Sequence, residues 1–315
     1  MRMWDLKDNA HAEAIEGYIR ANKGYYERVP SEHGYGLYRT VLPNDRVRII
    51  INGGGGYGPM WSGFADEGLA DAMVHGSFDC APNAFVLYET AKKIEAGRGV
   101  LFLANNFMGD YLNNDMAIEL LERDGIKASA CYASDDVCSY RGEEKDKRGG
   151  LHGIGQLCKI GAKAAKNGLN LCEVTRLVEK GNARMRSISL GIRNAMCFWG
   201  EGFSGEEAAF REHFTNVSQT VERCCDILLG EMSEWDRDDI YISLNPFSGV
   251  SYTESYVILK YAVAAIEKRH RKIWGCACGN YFDVFQGSGY ILSLLACDAE
   301  LKEYVAPVRA CGFVV

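Results

Sequence analysis

The sequence predicts a two-lobed α/β protein with mostly parallel sheets flanked by helices. Strand-like apolar runs alternate with helix-length segments, an order typical of parallel strands joined by helices. Polar loops that contain glycine follow several of these runs. The 315 residues, 47% of them hydrophobic, can bury one large core or two medium ones. We expect an N-terminal lobe over residues 1–190, which carries a glycine-loop site, and a C-terminal lobe over residues 191–315.

The elements are predicted in chain order from their apolar pattern. Residues 1–26 have the charged, amphipathic pattern of a helix. Pro59 suits the first turn of a helix that continues through Phe64, Leu69 and Met73. An irregular, glycine-rich crossover between the lobes is expected at residues 187–205. The other predicted strands are residues 46–51, 99–103, 127–133, 240–244 and 272–275, and the other predicted helices are residues 83–96, 113–124, 154–167, 171–186 and 255–268.

The charge balance and the lack of long apolar runs limit the partners. Lys and Arg total 35 and Asp and Glu total 42, so the formal net charge is -7. This charge disfavours nucleic acid and anionic membranes as main partners. No apolar run approaches the roughly 20 residues of a membrane-spanning helix, and the N-terminal segment does not resemble a signal peptide. We therefore expect a cytoplasmic protein.

The cysteines indicate a reducing compartment and no metal site. Twelve cysteines are scattered through apolar segments, so buried free thiols are expected instead of disulfides. Cys276 and Cys278 form a C-x-C pair, and Cys224 and Cys225 are adjacent. Neither pair has a second pair or histidines at the spacing of a zinc site.

The segment at residues 46–64 contains the strongest local signal. A β-branched run ends in consecutive glycines, which bring backbone amides to a surface where they can bind an anion or a small polar ligand. Gly53, Gly55 and Gly58 also satisfy the dinucleotide pattern G-x-G-x-x-G. Pro59 follows at once, and no clean second strand ending in an acid appears about twenty residues on, so a dinucleotide site is disfavoured.

Taken in order, the loops resemble the motifs of the substrate-binding K subunit, or K domain, of dihydroxyacetone kinases. The family sequence GGGSGHEP followed by Gly-Phe is similar to residues 53–59 and 63–64, and KNYTGD is similar to residues 105–110. The similarity covers nearly the whole chain and implies the K-domain fold. Four further motifs of the family have similar segments here. The family's DDV corresponds to residues 135–137, its RRGLAGT with a downstream lysine to residues 148–153 and Lys159, its VNNLGGTS to residues 244–251 and its GNFMTSLDMAGFSLTLL to residues 279–295.

The resemblance implies the ligand and the partners. In that family the K subunit binds a triose ketone, and the phosphoryl group arrives from a separate ATP-carrying L-type subunit or a phosphoryl-relay partner. We therefore expect a small-molecule substrate and no cofactor bound by this chain. ATP or another phosphoryl donor is expected on a partner subunit, and the chain is expected to form a homodimer.

The resemblance also implies which residues form the site. The family has a histidine that captures the substrate carbonyl covalently, a second histidine that polarises the reacting oxygen, a lysine, and an aspartate that acts as base. The corresponding residues here are Ser204, Tyr57, Asn105 and Asp110. Of these groups the aspartate alone is retained. Because serine without a neighbouring base is a poor nucleophile, we expect noncovalent binding.

Each candidate catalytic residue has a structural alternative. Asp110 is expected to act as a base or to orient a hydroxyl group, and otherwise caps a helix. Tyr57 donates a hydrogen bond or forms a wall of the pocket. His152 serves as a replacement imidazole or as a hydrogen-bonded structural residue. The candidate substrate-binding residues are Gly53, Gly54, Gly55, Gly56, Tyr57, Gly58, Asn105, Asp110 and Ser204.

The sequence leaves three functions open. The first is a kinase-like subunit that binds a small polyol, ketose or related metabolite for phosphoryl transfer from a separate ATP-carrying subunit. The second is a noncatalytic ligand-sensing or regulatory paralogue. The third is a recruited isomerase or lyase that uses Asp110, Tyr57 and His152. The retained glycine loop and Asp110 favour the first.

Overall fold

The structure is a computed structural model. It describes residues 10–43, 45–55, 62–78, 80–140, 142–202, 206–283, 287–305, 309–310 and 313–314. Of the residues predicted to form the site, Gly56, Tyr57, Gly58 and Ser204 lie outside these ranges.

The N-terminal part of the chain forms a mixed sheet with a parallel centre. Its strands are β1 (Tyr26–Arg28), β2 (Tyr35–Arg39), β3 (Arg48–Gly55), β4 (Ala72–Phe78), β5 (Val100–Asn105) and β6 (Ala128–Ala133). Their order is β1-β2-β4-β3-β5-β6, and β4, β3, β5 and β6 run parallel. The associated helices are α1 (Ala10–Ala21), α2 (Ala84–Ile94) and α3 (Met108–Arg123).

The C-terminal part forms a second sheet. Its strands are β7 (Met185–Arg193), β8 (Met196–Trp199), β9 (Phe210–His213), β10 (Asp239–Pro246), β11 (Ile273–Cys278), β12 (Gly289–Cys297), β13 (Arg309–Ala310) and β14 (Phe313–Val314). Their order is β13-β14-β11-β10-β12-β7-β8-β9. The helices of this half of the chain are α4 (Ile154–Lys166), α5 (Leu171–Ala183), α6 (Val217–Gly230), α7 (Tyr252–Lys268) and α8 (Ala299–Lys302).

Helix α4 lies between the two sheets. One core cluster contains Ile49 of β3, Leu157 of α4 and Ile291 of β12. The outer face of the first sheet packs against α2 and α3, and that of the second sheet packs against α6 and α7. The layers are therefore α/β/α/β/α, which confirms the predicted class of two sheets flanked by helices. The chain passes from the first sheet to the second between β6 and β7, so the predicted lobe boundary after residue 190 lies inside β7, and the division into lobes stays a prediction.

The predicted helix from Pro59 through Met73 is wrong over its described part, residues 62–73, and its start at residues 59–61 lies outside the described ranges. Residues Ser62–Phe64 form a single 3₁₀ turn, and Ala72–Phe78 is strand β4. Asp71 explains the change of direction, because its carboxylate accepts a hydrogen bond from Ile49 N at 3.0 Å and pairs with Arg46. Met73 then pairs with Ile51 in a parallel register.

The irregular structure predicted for residues 187–205 is wrong over residues 187–199; residues 203–205 lie outside the described ranges, and the crossover between lobes stays a prediction. Strands β7 and β8 form an antiparallel hairpin there. Its turn residues Asn194 (φ 51°) and Ala195 (φ 56°) both have positive φ, as in a type I′ turn. Antiparallel pairs join β7, β8, β10 and β12. The mostly parallel arrangement predicted for the sheets is therefore found in the centre of the first sheet, but in the second sheet it is found between β10 and β11.

Asp135 fixes the loop that leads into α4. Its carboxylate accepts hydrogen bonds from Leu151 N and Gly153 N, both at 2.9 Å. Its carbonyl oxygen accepts one from Ser187 N at 2.7 Å, which ties the end of β6 to the start of the second sheet. Because Asp135 is fully buried, these bonds compensate for the loss of water around the carboxylate.

Gly153→Ala is expected to lower the free energy of unfolding by about 2 kcal/mol or more. A Cβ atom at Gly153 would lie 2.6 Å from Asp135 Oδ2, so the carboxylate would have to give up its hydrogen bonds. Gly17→Ala is the matched control: Gly17 is exposed inside α1 with nothing near its Cβ position, so alanine should stabilise the protein by about 0.5–1 kcal/mol. Urea unfolding of both variants tests this, and shifts of the same sign would contradict it.

Candidate functional site

The carboxyl ends of β3, β4 and β5 form one edge of the first sheet. Strand β3 continues through residues 53–55, so these glycines are part of the sheet and not only of the following loop. The parallel register places Gly53 opposite His75 and Gly55 opposite Phe78. This is the edge at which open α/β sheets bind their ligands.

Asp110 lies at this edge in the first turn of α3. The side chain is buried, and its Oδ1 atom has no hydrogen-bond partner among the described residues. Burial raises the pKa of Asp110 to about 7. A carboxyl group with a pKa near neutrality can exchange a proton with a bound hydroxyl group, as a general base must.

Asn105 ends β5, a short turn before Asp110. It is buried, and neither polar atom of its side-chain amide has a hydrogen-bond partner within the described ranges. Gly150 packs directly over it, because a Cβ atom at Gly150 would collide with Asn105 Oδ1. The neighbouring Asn106 Nδ2 donates to Arg148 O at 2.9 Å, which holds this loop over β5. Buried amides are normally hydrogen bonded, so a ligand oxygen is a natural partner for Asn105.

A reciprocal pair of asparagines joins the glycine strand to α3. Asn52 Nδ2 donates to Asn114 Oδ1 at 3.0 Å, and Asn114 Nδ2 donates to Asn52 Oδ1 at 3.0 Å. Asn114 Nδ2 also donates to Asp110 O at 2.7 Å. Both asparagines are fully buried. The sequence pattern does not predict this pair, although an asparagine at the end of a run of isoleucines is a signal for a buried polar contact.

His152 lies between the two sheets and not beside the glycine strand. Its ring stacks on Tyr281 at 5.1 Å and meets Phe282 edge-on at 5.7 Å, and Nδ1 lies 3.4 Å from Ser293 Oγ. Burial lowers its pKa to about 3. This aromatic, fully buried setting agrees with the structural alternative for His152, and a catalytic role stays a prediction.

The loops of the second half of the chain meet the first sheet through aromatic contacts. Asn245 Oδ1 accepts hydrogen bonds from Tyr281 N at 2.7 Å and Phe282 N at 2.8 Å, which joins the end of β10 to the loop after β11. The Phe282 ring lies 5.8 Å from that of Phe64, which follows the glycine strand in sequence. The loop after β11 therefore contacts the segment that follows the glycine strand, and it does so through Tyr281 and Phe282, which are core residues.

Two cavities lie away from this sheet edge. The larger, of about 1030 Å³, is lined by the loops before β5 and β6 and by the start of α5. The smaller, of about 650 Å³, is lined mainly by α6 and the loop after β6, and its three carboxylates are paired: Glu222 with Lys268, Asp226 with Arg269 and Glu231 with Lys145. Within the described ranges, no three His, Cys, Asp or Glu side chains are placed to bind a metal ion. No helix in that part of the chain is both long and apolar enough to cross a membrane. All described cysteines are free, and Cys80, Cys172 and Cys276 are exposed.

The fold and the buried acid at its sheet edge define a two-sheet α/β protein with a candidate small-ligand site. A family model described as the Dak1 domain matches residues 16–311. Because the match covers most of the chain, the chain belongs to the Dak1 domain family. The resemblance to the substrate-binding subunit of dihydroxyacetone kinases is thereby confirmed.

Several known proteins are similar to the chain over almost its whole length. It is 26% identical over 306 residues to a Listeria innocua protein named PTS-dependent dihydroxyacetone kinase 2, dihydroxyacetone-binding subunit DhaK, and the match covers 92% of each. It is 26% identical over 309 residues to D-erythrulose kinase of Mycolicibacterium smegmatis, covering 93% of this chain and 53% of that protein. A solved structure titled "Regulation of the dha operon of Lactococcus lactis" superimposes with a TM-score of 0.89 at 21% identity, covering 99% and 97% of the two chains, and confirms the fold.

Asp110→Asn is expected to raise the free energy of unfolding at pH 8 by about 1–3 kcal/mol, since one pKa unit corresponds to about 1.4 kcal/mol. The pKa of Asp110 is about 7 in the folded protein, whereas the ordinary value is 3.8. At a pH between these two values, Asp110 is therefore protonated in the folded state and ionised in the unfolded state. The contribution of Asp110 to stability therefore falls as pH rises through this range, and the difference between variant and unaltered protein should shrink at pH 5.

Urea unfolding at pH 5 and pH 8 measures this difference. Glu119→Gln makes the same carboxyl-to-amide change at an exposed position of α3 and serves as the control. A difference for Asp110→Asn that does not change with pH would show that burial does not raise the pKa of this carboxyl group.

Asn52→Ala and Asn114→Ala are each expected to cost about 1–3 kcal/mol of unfolding free energy, because each leaves a buried amide without its partner. The double variant should cost less than the sum of the two, with a coupling of about 1 kcal/mol or more. A thermodynamic cycle of the four proteins measures the coupling. Strict additivity would mean that the amide pair does not hold α3 to β3.

Proposed function

We propose that the chain is a dihydroxyacetone-kinase-type subunit that binds a small ketose, polyol or related metabolite noncovalently at the carboxyl edge of the first sheet. Asp110 supports this proposal most directly, because it is a buried acid at that edge with a pKa of about 7, and its Oδ1 atom has no hydrogen-bond partner in the part of the chain that the structure describes. Buried acids with such pKa values are concentrated at functional sites. In this proposal the chain itself binds no cofactor.

The polar groups at the edge suit an uncharged ligand with several oxygen atoms. Asn105 offers an amide donor and an amide acceptor, and residues 53–55 bring backbone close to the edge without side chains. Hydroxyl groups both donate and accept hydrogen bonds, so a polyhydroxy compound can satisfy both kinds of group. The names of two relatives, a dihydroxyacetone-binding subunit and a D-erythrulose kinase, agree with short ketoses as candidate ligands.

The proposed reaction is phosphoryl transfer from ATP on a separate L-type subunit. A ligand hydroxyl oxygen attacks the γ-phosphorus, the bond between that phosphorus and the leaving ADP oxygen breaks, and the hydroxyl proton passes to Asp110. Asn105 and the glycine backbone orient the ligand for this step. Tyr57 and Ser204 remain candidate contacts of the same ligand, and the functional unit is a cytoplasmic homodimer in this proposal.

Asp110→Asn should reduce phosphorylation by about 100-fold or more, because general bases contribute at least this much to such reactions. The chain is mixed with Mg-ATP, a purified DhaL-type subunit and dihydroxyacetone, D-erythrulose or L-erythrulose, and product is measured by ³¹P NMR. Glu119→Gln should react like the unaltered protein.

Calorimetric titration of the same ketoses separates the alternatives. Ligand binding without phosphorylation, together with ligand-dependent affinity for a protein partner, would favour a sensing role over the kinase role. Turnover with no phosphoryl donor present would favour an isomerase or lyase. If no ketose binds, the proposal is wrong.

A further inference from the structure

His11 of helix α1 lies over the glycine strand. Its ring is 5.4 Å from the His75 ring, 5.7 Å from the Phe78 ring and 6.0 Å from the Tyr35 ring, measured between centroids. These contacts come from β2 and from the end of β4. They fix the imidazole at the edge of the sheet although it belongs to a helix far from that edge in sequence.

The imidazole occupies the place that a side chain at Gly55 would take. A Cβ atom at Gly55 would lie 2.5 Å from His11 Nε2 and 2.6 Å from Gly76 O. The ring therefore covers the face of the glycine strand at its last described residue. Any ligand held over residues 53–55 would meet this ring.

The His11 ring is in its neutral form, and its Nε2 atom can form a hydrogen bond to an uncharged ligand. Burial lowers the pKa of His11, and a hydrogen bond with the Gly76 backbone raises it by a smaller amount. A neutral imidazole offers one donor and one acceptor nitrogen. The Nε2 atom is buried and has no hydrogen-bond partner among the residues that the structure describes.

We propose that His11 is a ligand-binding residue of the glycine-strand site, in which Nε2 hydrogen bonds to a hydroxyl group of the bound ketose or polyol. This inference rests on the proposed function and adds α1 to the site. His75 acts as a positioning residue in it. Because burial and the neighbouring His11 lower the pKa of His75 to about 3, it stays neutral and packs against the His11 ring without charge repulsion.

His11 also differs from His152 in ways that matter for ligand access. The His152 ring is enclosed by Tyr281 and Phe282, inside the layer between the sheets. The His11 ring packs against residues at the end of β4, and the residue as a whole is half-buried although its Nε2 atom is buried. Of these two imidazoles, His11 is the one that lies outside the layer between the sheets.

His11→Phe tests the hydrogen bond while it keeps a planar ring against His75 and Phe78. The dissociation constants of dihydroxyacetone, D-erythrulose and L-erythrulose are measured by calorimetry for the unaltered protein and each variant. His11→Phe should weaken the tightest of these ligands by about 10-fold, the effect of losing one hydrogen bond. His11→Gln keeps a donor and an acceptor and should recover part of the affinity.

His33→Phe is the matched control, because His33 is exposed and its ring contacts Phe85 instead of the glycine strand. It should bind all three ketoses like the unaltered protein. Thermal unfolding of each variant shows whether it is folded. In the unaltered protein labelled with ¹⁵N-histidine, ketose addition should also shift the His11 ring resonances and leave those of His33 in place, which tests the contact without any substitution at the site.

The outcomes separate this inference from the proposed function. Weaker binding by folded His11→Phe, with a shifted His11 resonance in the unaltered protein, supports both. Unchanged binding by His11→Phe, or an unshifted His11 resonance at saturating ketose, overturns the role of His11 and leaves the proposed function in place. Absence of ketose binding by the unaltered protein overturns both.

Discussion

The reciprocal hydrogen bonds between Asn52 and Asn114 are the constraint on which the geometry of the site depends. They join the last polar residue before the glycines to the helix that carries Asp110, in a region without solvent. Asn114 also holds the carbonyl oxygen of Asp110, and Asn52 Nδ2 reaches Leu103 O of β5 at 3.2 Å. Sliding α3 along the sheet would break both buried hydrogen bonds of the asparagine pair, so the acid and the glycine backbone keep a fixed relation.

The candidate site is assembled at a cost in stability. Asp110 Oδ1, both polar atoms of Asn105 and His11 Nε2 are buried without partners among the described residues, whereas most buried polar atoms in proteins are hydrogen bonded. Burial of Asp110 near the start of a helix is informative, because the helix dipole stabilises a negative charge there and the pKa is nevertheless raised. Desolvation raises the pKa of Asp110 by more than the helix dipole lowers it. The carboxyl group can therefore gain and lose a proton near neutral pH. Buried polar atoms of this kind lower stability, and they are explained better by ligand binding than by a role in holding the fold together.

The sequence predicts the helices and strands whose apolar pattern lies within the element itself. The buried runs that became β3, β5, β6 and β10 and the amphipathic segments that became α2, α4, α5 and α7 carry their own periodicity. Strand β4 was missed because its start is set by Asp71, which contacts Arg46 and Ile49 across the sheet. The hairpin of β7 and β8 was missed because its turn is Asn194-Ala195 and not a glycine pair.

The same distinction applies to the site. Asp110 and Asn105 follow from a motif that is contiguous in sequence, so a resemblance finds them. Asn52 needs Asn114, which lies 62 positions away in the chain, and no local pattern joins them. His11 reaches Gly55 only because α1 packs across β2 and β4. Contacts that depend on strand pairing cannot be read from a single sequence without first knowing the sheet order.

Helix α4 couples the site to the second sheet. The loop before it contacts Asn105 through Gly150, and Asp135 ties that loop to β7 through Ser187 N. Along the helix, Lys159 Nζ lies 4.2 Å from the centroid of the Tyr241 ring in β10, and burial lowers the pKa of this amine to about 7. The amine of Lys159 and the carboxylate of Asp135 are both buried. Moving either group would break polar contacts in the core, so α4 and the loop before it are held in place. The edge that carries Asp110 and Asn105 is thus held from both sides: by Asn52 and Asn114 within the first sheet, and by α4 against the second.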